Sequence, residues 1–261
     1  MVLISLMTDF GLIDGFVGVM KGVIWGIAPQ VHIADLTHLV PPQDIRAAAL
    51  ILNRSAPYFP DGTIHVVVVD PGVGTPRRPI AARLGSQYFV GPDNGVFTLV
   101  LERAEHQDAP IEIVHLDKPQ YWLAEVSNVF HGRDIFSPVA AALANGIPLS
   151  TLGSPISDPV RLSIPQPRFT STGLQGEIAH IDHFGNIIAN VRDEHLRDKD
   201  YLTVRLGSEE IHGMVRTFGE RSPGELIALI GSTGDLVVAV VNGDAAQQLG
   251  ARIGDPIEII F

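Results

Sequence analysis

The chain has 261 residues, of which 46% are hydrophobic and 18% are charged, so it has the composition of a globular protein with room for one large or two modest domains. Its formal net charge of −11 argues against a nucleic-acid partner, because the phosphates would be repelled. It contains no cysteine, which excludes disulfides, thiolate catalysis and cysteine-ligated metal.

Two further features of the chain bear on its location. No uninterrupted apolar run approaches the roughly 20 residues that a membrane-spanning helix needs. Residues 1–9 lack the basic region and the small-residue cleavage site of a signal peptide and look like a first strand. We therefore expect a cytoplasmic protein with no membrane partner.

The first 160 residues alternate strand-like and helix-like patterns, which is typical of a layered α/β domain with a mixed sheet and flanking helices. Helices are predicted at residues 16–28, 44–55 and 135–145, the last with Asp134 as its cap and Gly146 at its end. Strands are predicted at residues 1–9, 31–35 and 66–69, and residues 80–84, 88–90, 96–101 and 111–114 look like further strands or short connectors.

The composition of the sequence changes after Ser154, where prolines recur among polar residues. This composition indicates a linker, which we place at residues 161–172. Seven short strand-like runs follow and predict a small all-β barrel over residues 173–261. The predicted organisation is thus an α/β domain at 1–160, the linker, and a β-barrel domain.

The stretch from Val66 to Arg78 carries the strongest local signal for chemistry. Four consecutive valines predict a strand buried on both faces, and it ends on Asp70, which two glycines follow closely. Open α/β sheets collect ligands at the carboxyl ends of their strands. The alternative is that Asp70 only starts a turn, but Arg77 or Arg78 could pair with it in a cleft.

Other polar residues also lie beside glycines near predicted strand ends, as a site would require. Each has an ordinary structural interpretation as a turn former, a helix cap or a histidine bonded to backbone. They are Asp9, Asp14, Asn94, His131, Arg133, Asp182 and Asn186.

Taken together, five motifs in this order resemble the SAM hydroxide adenosyltransferases, relatives of the fluorinase and chlorinase. They are Thr8-Asp9-Phe10-Gly11, Val69-Asp70-Pro71-Gly72-Val73-Gly74-Thr75 with Arg77-Arg78, Gly91-Pro92-Asp93-Asn94-Gly95, Phe130-His131-Gly132-Arg133-Asp134 and Ile181-Asp182-His183-Phe184-Gly185-Asn186. The resemblance implies hydrolysis of S-adenosyl-L-methionine (SAM) to adenosine and L-methionine by attack of water or hydroxide at the ribose C5′. It also implies a homotrimer with sites at subunit interfaces and no cofactor or metal.

The resemblance further implies a role for each matching residue. Asp70, Arg77 and His131 correspond to the catalytic set. Asp9 corresponds to the carboxylate that binds the ribose hydroxyls, and Asp182 with Asn186 to the pair that holds the methionine end. The remaining substrate-binding candidates are Asp14, Asn94, Phe130, Ser232 and Asn242.

Three alternatives stay open from the sequence. A chlorinase-like halogenase is disfavoured because Gly132 stands where the halogenases have a halide-binding serine, and because the Asp70 carboxylate would repel a halide. A divalent-metal hydrolase could use Asp9, Asp70 and His131, although an arginine beside metal ligands is unusual. A SAM or adenosine sensor would not need the Asp70, Arg77 and His131 set.

Overall fold

The computed structural model describes residues 2–197, 199 and 201–261. The chain divides into two compact units, residues 1–162 and residues 163–261, and the division falls inside the predicted linker of residues 161–172. Among the described residues, no helix is both long and apolar enough to cross a membrane.

The first unit is built on a seven-stranded mixed sheet. Its strands are β1 (Leu3–Thr8), β2 (His32–Thr37), β3 (Ile64–Val68), β4 (Pro79–Leu84), β5 (Gln87–Pro92), β6 (Ile111–His115) and β7 (Ser154–Pro155). Their order across the sheet is β2-β1-β3-β5-β4-β6-β7. The first four in that order are parallel, and β4, β6 and β7 add antiparallel pairs, so the predicted α/β fold with a mixed sheet is confirmed.

Helices cover both faces of this sheet, because strands that are buried on both sides need an apolar layer above and below. They are α1 (Phe16–Ile27), α2 (Ile45–Ser55), α3 (Thr98–His106) and α4 (Ser137–Ala144). One core lies under α1 and α4 and includes Met20 and Phe136, and the other lies under α2 and α3 and includes Leu52 and Phe89.

One predicted element of this unit is wrong, and another begins differently from the prediction. The run at residues 96–101 is not a strand, because α3 begins at Thr98, whose hydroxyl donates to the carbonyl of Gly95 at 2.7 Å. Val96, Phe97, Val100 and Leu101 recur with the helical spacing and are all buried, a periodicity that the short apolar run concealed.

The helix predicted at residues 135–145 also has a different start. Residues Gly132–Phe136 form a wide π-helical turn, and α4 follows from Ser137 to Ala144. Asp134 therefore does not cap a helix but lies inside the turn, where its side chain is fully buried. Turns of this kind are frequent at functional sites.

The second unit is antiparallel throughout. Its strands are β8 (Arg168–Thr170), β9 (Gly173–Ile181), β10 (Ile187–Arg192), β11 (Thr203–Leu206), β12 (Glu209–His212), β13 (Leu226–Ile230), β14 (Asp235–Val240) and β15 (Pro256–Ile260), with two short helices, α5 (Asp193–Leu196) and α6 (Ala245–Leu249). The strand order is β12-β11-β15-β9-β10-β14-β13, with β8 paired to β9. The end strands β12 and β13 approach each other, so the sheet is nearly closed, and the predicted barrel-like fold is confirmed.

One difference concerns the predicted linker. Residues 168–170 form β8, whose partners on β9 are residues 173–175, so this part of the linker is a hairpin arm. Within residues 161–172 both prolines, Pro165 and Pro167, precede Arg168, which leaves the backbone N–H groups of β8 able to pair.

Candidate active site

The site candidates of the first unit follow adjacent parallel strands. Thr8 of β1 is in register with Val68 of β3, so the chain segments that begin at Asp9 and Val69 leave the sheet side by side. A cavity of about 310 Å³ opens at this edge. It is lined by Asp9, Phe10, Gln43, Val68, Asp70, Pro71, Val73, Val129, Phe130, His131 and Gly132.

Asp70 and Arg77 form a buried bidentate ion pair. The Nε of Arg77 donates to Oδ1 of Asp70 at 2.9 Å, and Nη2 donates to Oδ2. Only 9% of the Arg77 side chain and 5% of the Asp70 side chain are exposed, so water screens this pair little. The tight turn after Asp70, in which Val73 donates to the Asp70 carbonyl at 3.1 Å, begins the return of the chain that brings Arg77 back.

The neighbouring arginine has a different partner. Arg78 donates through Nε to Asp93 at 2.8 Å and through Nη1 to Asp158 at 2.8 Å. The sequence expectation that Arg77 and not Arg78 accompanies Asp70 thus agrees with this geometry. Arg77 itself does not line the cavity, since its guanidinium lies behind Asp70 and His131 and over the ring of Phe136.

His131 completes this group. Its Nδ1 lies 2.8 Å from Nη2 of Arg77. Because a guanidinium can only donate, Nδ1 must be the acceptor, and the neutral ring carries its proton on Nε2. Burial, and next the Arg77 cation, hold the pKa of His131 below its ordinary value, although the carboxylates of Asp70 and Asp134 act in the opposite direction.

Asp9 lies on the β1 side of the cavity and is tied to a loop that the sequence analysis did not select. Its Oδ2 accepts from the backbone N–H of Gln43 at 2.8 Å. Gln43 has a φ of 66°, a left-handed conformation uncommon for a residue other than glycine. The Pro41-Pro42-Gln43-Asp44 segment predicts a helix start, and that signal alone does not reveal that Gln43 lines a site.

Three phenylalanines form an edge-to-face cluster beside Asp9. The ring centroids of Phe10, Phe16 and Phe130 are 5.5 to 5.9 Å apart. Phe10 and Phe130 also line the cavity, so this cluster gives it an apolar wall. Asp14 lies exposed on the segment between Phe10 and α1 and is not among the lining residues.

Asn94 has a different place from the one expected. Its amide donates to the carbonyl of Val69 at 2.9 Å, and its Oδ1 accepts from the N–H of Val96 at 3.2 Å. Both groups of the side chain thus support backbone, and Asn94 is absent from the cavity lining. The structure assigns it to fixing the end of β3 directly before Asp70.

In the second unit, Asp182 and Asn186 form one turn between β9 and β10. Asp182 accepts through Oδ1 from the N–H of Phe184 at 2.8 Å and of Asn186 at 3.0 Å, and through Oδ2 from the Asn186 amide at 2.8 Å. Gly185, with φ of 78°, packs so closely on Asp244 that a Cβ would overlap its carboxylate. The turn is therefore closely hydrogen-bonded and packs against the segment that contains Asn242.

Ser232 and Asn242 lie at opposite ends of β14. Ser232 is exposed in the turn before this strand, and Asn242, with φ of 55°, is exposed in the turn after it. Because Ile187 pairs with Val238 and Arg192 with Asp235, the Asn186 turn lies at the Asn242 end. Within one barrel the structure therefore brings Asp182, Asn186 and Asn242 to one end and leaves Ser232 at the other.

Over the part of the chain that the structure describes, no group of three or more His, Asp and Glu side chains is placed to hold a metal ion. Asp9, Asp70 and His131 share a cavity, but Nδ1 of His131 already accepts a hydrogen bond from Arg77. The geometry therefore gives the metal-hydrolase alternative no ligand set.

Similarity to known proteins covers nearly the whole chain. Residues 4–153 match the SAM hydroxide adenosyltransferase N-terminal domain, and residues 176–258 match the C-terminal domain of the same family. The chain is 41% identical over 261 residues to an (R)-S-adenosyl-L-methionine hydrolase of Salinispora tropica, covering 98% of this chain and 97% of that protein. It is 32% identical over 216 residues to a fluorinase of Actinoplanes, covering 72% of this chain and 71% of the fluorinase.

A solved structure gives the same result for the fold. An uncharacterized conserved protein from Thermotoga maritima superposes with a TM-score of 0.91 at 38% identity, covering 99% of this chain and all of that one. Both family domains occur here in order, and the bonded group of Asp70, Arg77 and His131 lies on the motifs that carried the resemblance. The chain belongs to the SAM hydroxide adenosyltransferase family.

Proposed function

We propose that this protein hydrolyses SAM by displacement at the ribose C5′. A water oxygen forms the new bond to C5′, the bond from C5′ to sulfur breaks with its electron pair on sulfur, and adenosine, L-methionine and a proton result. The observation that carries the proposal is the Asp70 carboxylate, which lines the cavity while Arg77, itself bonded to His131, holds it from behind. The SAM hydrolase relatives support the choice of substrate.

The reaction asks little of the protein at the leaving group. A sulfonium departs as a neutral thioether, so no general acid is needed, and the residues present require no cofactor or metal. The difficulty is to present an aligned and poorly solvated oxygen to C5′. A cationic substrate also suits a chain of net charge −11 whose cavity displays Asp9 and Asp70.

Asp70 is the group that holds the attacking water and receives its proton. Each carboxylate oxygen accepts one bond from Arg77 and retains a second lone pair for the water. His131 is not the base in this arrangement, since its Nδ1 already accepts from Arg77. Its role is to hold the guanidinium, which in turn keeps the Asp70 carboxylate in one orientation.

The remaining residues bind the substrate. Asp9 accepts the two ribose hydroxyls, as a carboxylate can, and Phe130 packs against the substrate. Asp182 and Asn186, with Asn242 near them, bind the polar ends of SAM, and Asp14 contributes near the methionine. Ser232 lies at the other end of its own barrel, so its position does not support a role in the same subsite. Asn94 acts indirectly, by holding the backbone at Val69.

The family resemblance also implies the assembly, and we infer a homotrimer. Light scattering of the purified protein checks this directly. A monomer that retains full activity contradicts the inference.

Halide is the competing nucleophile, because fluorinases are relatives of this chain. Two observations disfavour it. The Asp70 carboxylate lines the cavity and repels an anion. A Cβ on Gly132 would lie 3.3 to 3.4 Å from Met20, Phe130 and Val68, so a serine fits there only if its neighbours give way. We expect little 5′-halo-adenosine at high chloride or fluoride.

The experiment is to incubate the purified protein with SAM and to separate the products by chromatography. We expect adenosine and methionine in equal amounts. Asp70→Asn serves as the inactive control, and Asp158→Asn, which removes an exposed partner of Arg78, serves as the matched carboxylate control that keeps activity. Absence of adenosine with the wild-type protein, or unchanged formation with Asp70→Asn, refutes the proposal.

A further inference from the structure

Asp134 is a fully buried carboxylate three residues after His131. Its Oδ2 accepts from the backbone N–H of Ser127 at 2.8 Å, and its Oδ1 accepts from Nε of Arg133 at 2.5 Å. Its backbone carbonyl accepts from the N–H of Leu123 at 2.9 Å. One residue thus fixes two points of the segment that leads to His131.

Ser127 connects this carboxylate to the backbone at His131. It donates its N–H to Asp134, and its hydroxyl accepts from the N–H of Phe130, the residue before His131, at 3.1 Å. A backbone hydrogen bond with Ser127 also acts to raise the pKa of His131, against the larger effect of burial.

We propose that Asp134 is a positioning residue for the hydrolysis, which holds the Ser127 peptide so that His131 presents Nδ1 to Arg77. This inference rests on the proposed function. The connected order is Asp134, Ser127, the N–H of Phe130, His131, Arg77 and Asp70, so a residue that does not line the cavity fixes the groups that do. Hydrogen-bonded groups behind a site residue can set the tautomer and orientation of a histidine.

The geometry distinguishes this role from simple support of a helix. Asp134 does not cap α4, because it lies inside the π-helical turn that joins His131 to that helix. Its charge is compensated by Arg133, whose guanidinium also lies over the ring of Phe130. Both bonded neighbours of Asp134 therefore contact the walls of the cavity or the residues that line it.

Asp134→Asn is the test, because an amide has one acceptor oxygen where the carboxylate has two. The amide oxygen can keep only one of the two short bonds, from the N–H of Ser127 or from Nε of Arg133, and the amide nitrogen then faces the other donor. We expect kcat to fall by about 10- to 100-fold, the usual effect of losing a hydrogen bond that positions a site residue, with KM for SAM changed by less than about threefold. Circular dichroism and thermal unfolding show whether the variant folds.

Asp117→Asn is the matched control. Asp117 also uses two oxygens for two donors, the N–H of Ser154 at 3.2 Å and its hydroxyl at 2.5 Å, but it does not bond to the His131 segment. Activity should stay within about twofold of the wild type, as for other changes that leave the positioning shell intact. A fall as large as that of Asp134→Asn overturns the specific role of Asp134.

The readout that separates positioning from mere support is the ¹⁵N spectrum of the histidine rings, with His131 assigned by comparison with His131→Asn. We expect the wild-type ring to carry its proton on Nε2 and the Asp134→Asn ring to lose this single tautomer. Lower turnover with an unchanged His131 signal overturns the proposal, as does unchanged turnover. A wild-type ring protonated on Nδ1 also overturns it, without need of a folded variant.

The same measurements separate this inference from the proposed function. If the wild-type protein does not convert SAM, the proposed function fails, whereas the tautomer of His131 and its response to Asp134→Asn are still measured. If SAM is converted and the tautomer does not respond, only the role of Asp134 fails.

Discussion

Nη2 of Arg77 donates to Nδ1 of His131 at 2.8 Å while the same nitrogen bonds to the carboxylate of Asp70. One guanidinium nitrogen therefore links Asp70, which follows β3, to His131, which precedes α4, and both residues line the cavity. The histidine must be neutral for this contact, since a protonated Nδ1 would face a cation.

Replacement of His131 tests this contact. His131→Ala leaves a donor of Arg77 unpaired, and we expect turnover to fall by roughly two to four orders of magnitude with SAM affinity nearly unchanged, as when a transition-state interaction is removed. His131→Asn, whose oxygen can accept from Arg77, should recover part of the loss. Steady-state kinetics and calorimetry check both values, and an alanine variant with wild-type turnover refutes the assignment.

The pH dependence follows from the lowered pKa of His131. The charged and titratable groups that face the ring are Arg77, Asp70 and Asp134. Because burial and Arg77 hold the pKa of His131 below the ordinary 6.5, the neutral ring is the major form at pH 6.5, and protonation becomes dominant only at lower pH. Turnover should therefore persist at pH 6.5 and fall below it. An acid limb with its midpoint above 6.5, or one that is identical in His131→Asn, contradicts this.

Asp9 should behave in the opposite way to Asp70. A carboxylate that binds ribose hydroxyls acts in the ground state too, so Asp9→Ala should weaken adenosine binding by about 10-fold or more, corresponding to the roughly 1.5–3 kcal/mol of charged hydrogen bonds. Asp14→Ala, which changes an exposed carboxylate on the adjacent segment, is the comparison variant. Calorimetry that finds unaltered adenosine affinity in Asp9→Ala refutes the ribose role.

The sequence predicted the strands and the site motifs better than the contacts of the individual side chains. The buried valine strand that ends on Asp70 is a local pattern, and the motifs around Asp70, Arg77 and His131 carried the family resemblance. Where each side chain points depends on contacts distant in sequence. The pattern therefore did not show that Arg77 lies behind the cavity wall, that Asn94 bonds to Val69, or that Gln43 reaches Asp9.

The same limit applies to Asp134. An aspartate before an apolar helical run is a reasonable helix cap, and only the π-helical turn shows that it faces the loop at Ser127 instead. The prediction for residues 96–101 failed for a related reason, since a short apolar run does not distinguish a strand from a buried helix.

Gly74 tests the contact between the two loops of the site. It has φ of 77°, and a Cβ there would lie 2.2 Å from the carbonyl oxygen of Asn128. Gly62 has φ of 78° with nothing within 4 Å of its Cβ position, so Gly62→Ala isolates the backbone cost of about 1–2 kcal/mol. We expect Gly74→Ala to lower the free energy of unfolding more than Gly62→Ala and to lower turnover as well. Equal effects of the two substitutions contradict a functional loop contact.

His65 predicts a pH dependence of stability. It is buried, its Nδ1 is 2.6 Å from the Ser5 hydroxyl, and burial lowers its pKa to about 4 from 6.5. Between these values the unfolded chain binds a proton that the folded protein does not. The contribution is therefore complete above pH 6.5 and is lost as the pH falls towards 4, by at most about 3 kcal/mol.

His65→Phe removes this titration and retains a ring that can stack on Phe89, which lies 5.0 Å away between centroids. Urea unfolding at pH 7 and pH 4.5 should show a smaller loss of stability in the variant than in the wild type. The same loss in both proteins shows that other groups cause it.

The most direct measurement of the central claim is the reaction of SAM in ¹⁸O-labelled water, followed by mass spectrometry of the products. Attack by solvent at C5′ forms that carbon–oxygen bond anew, so we predict that the label appears on the 5′-oxygen of adenosine and that methionine is unlabelled. Substantial 5′-halo-adenosine when chloride or fluoride is present would identify a halogenase instead. Adenosine without the label would contradict displacement at C5′ by water held on Asp70.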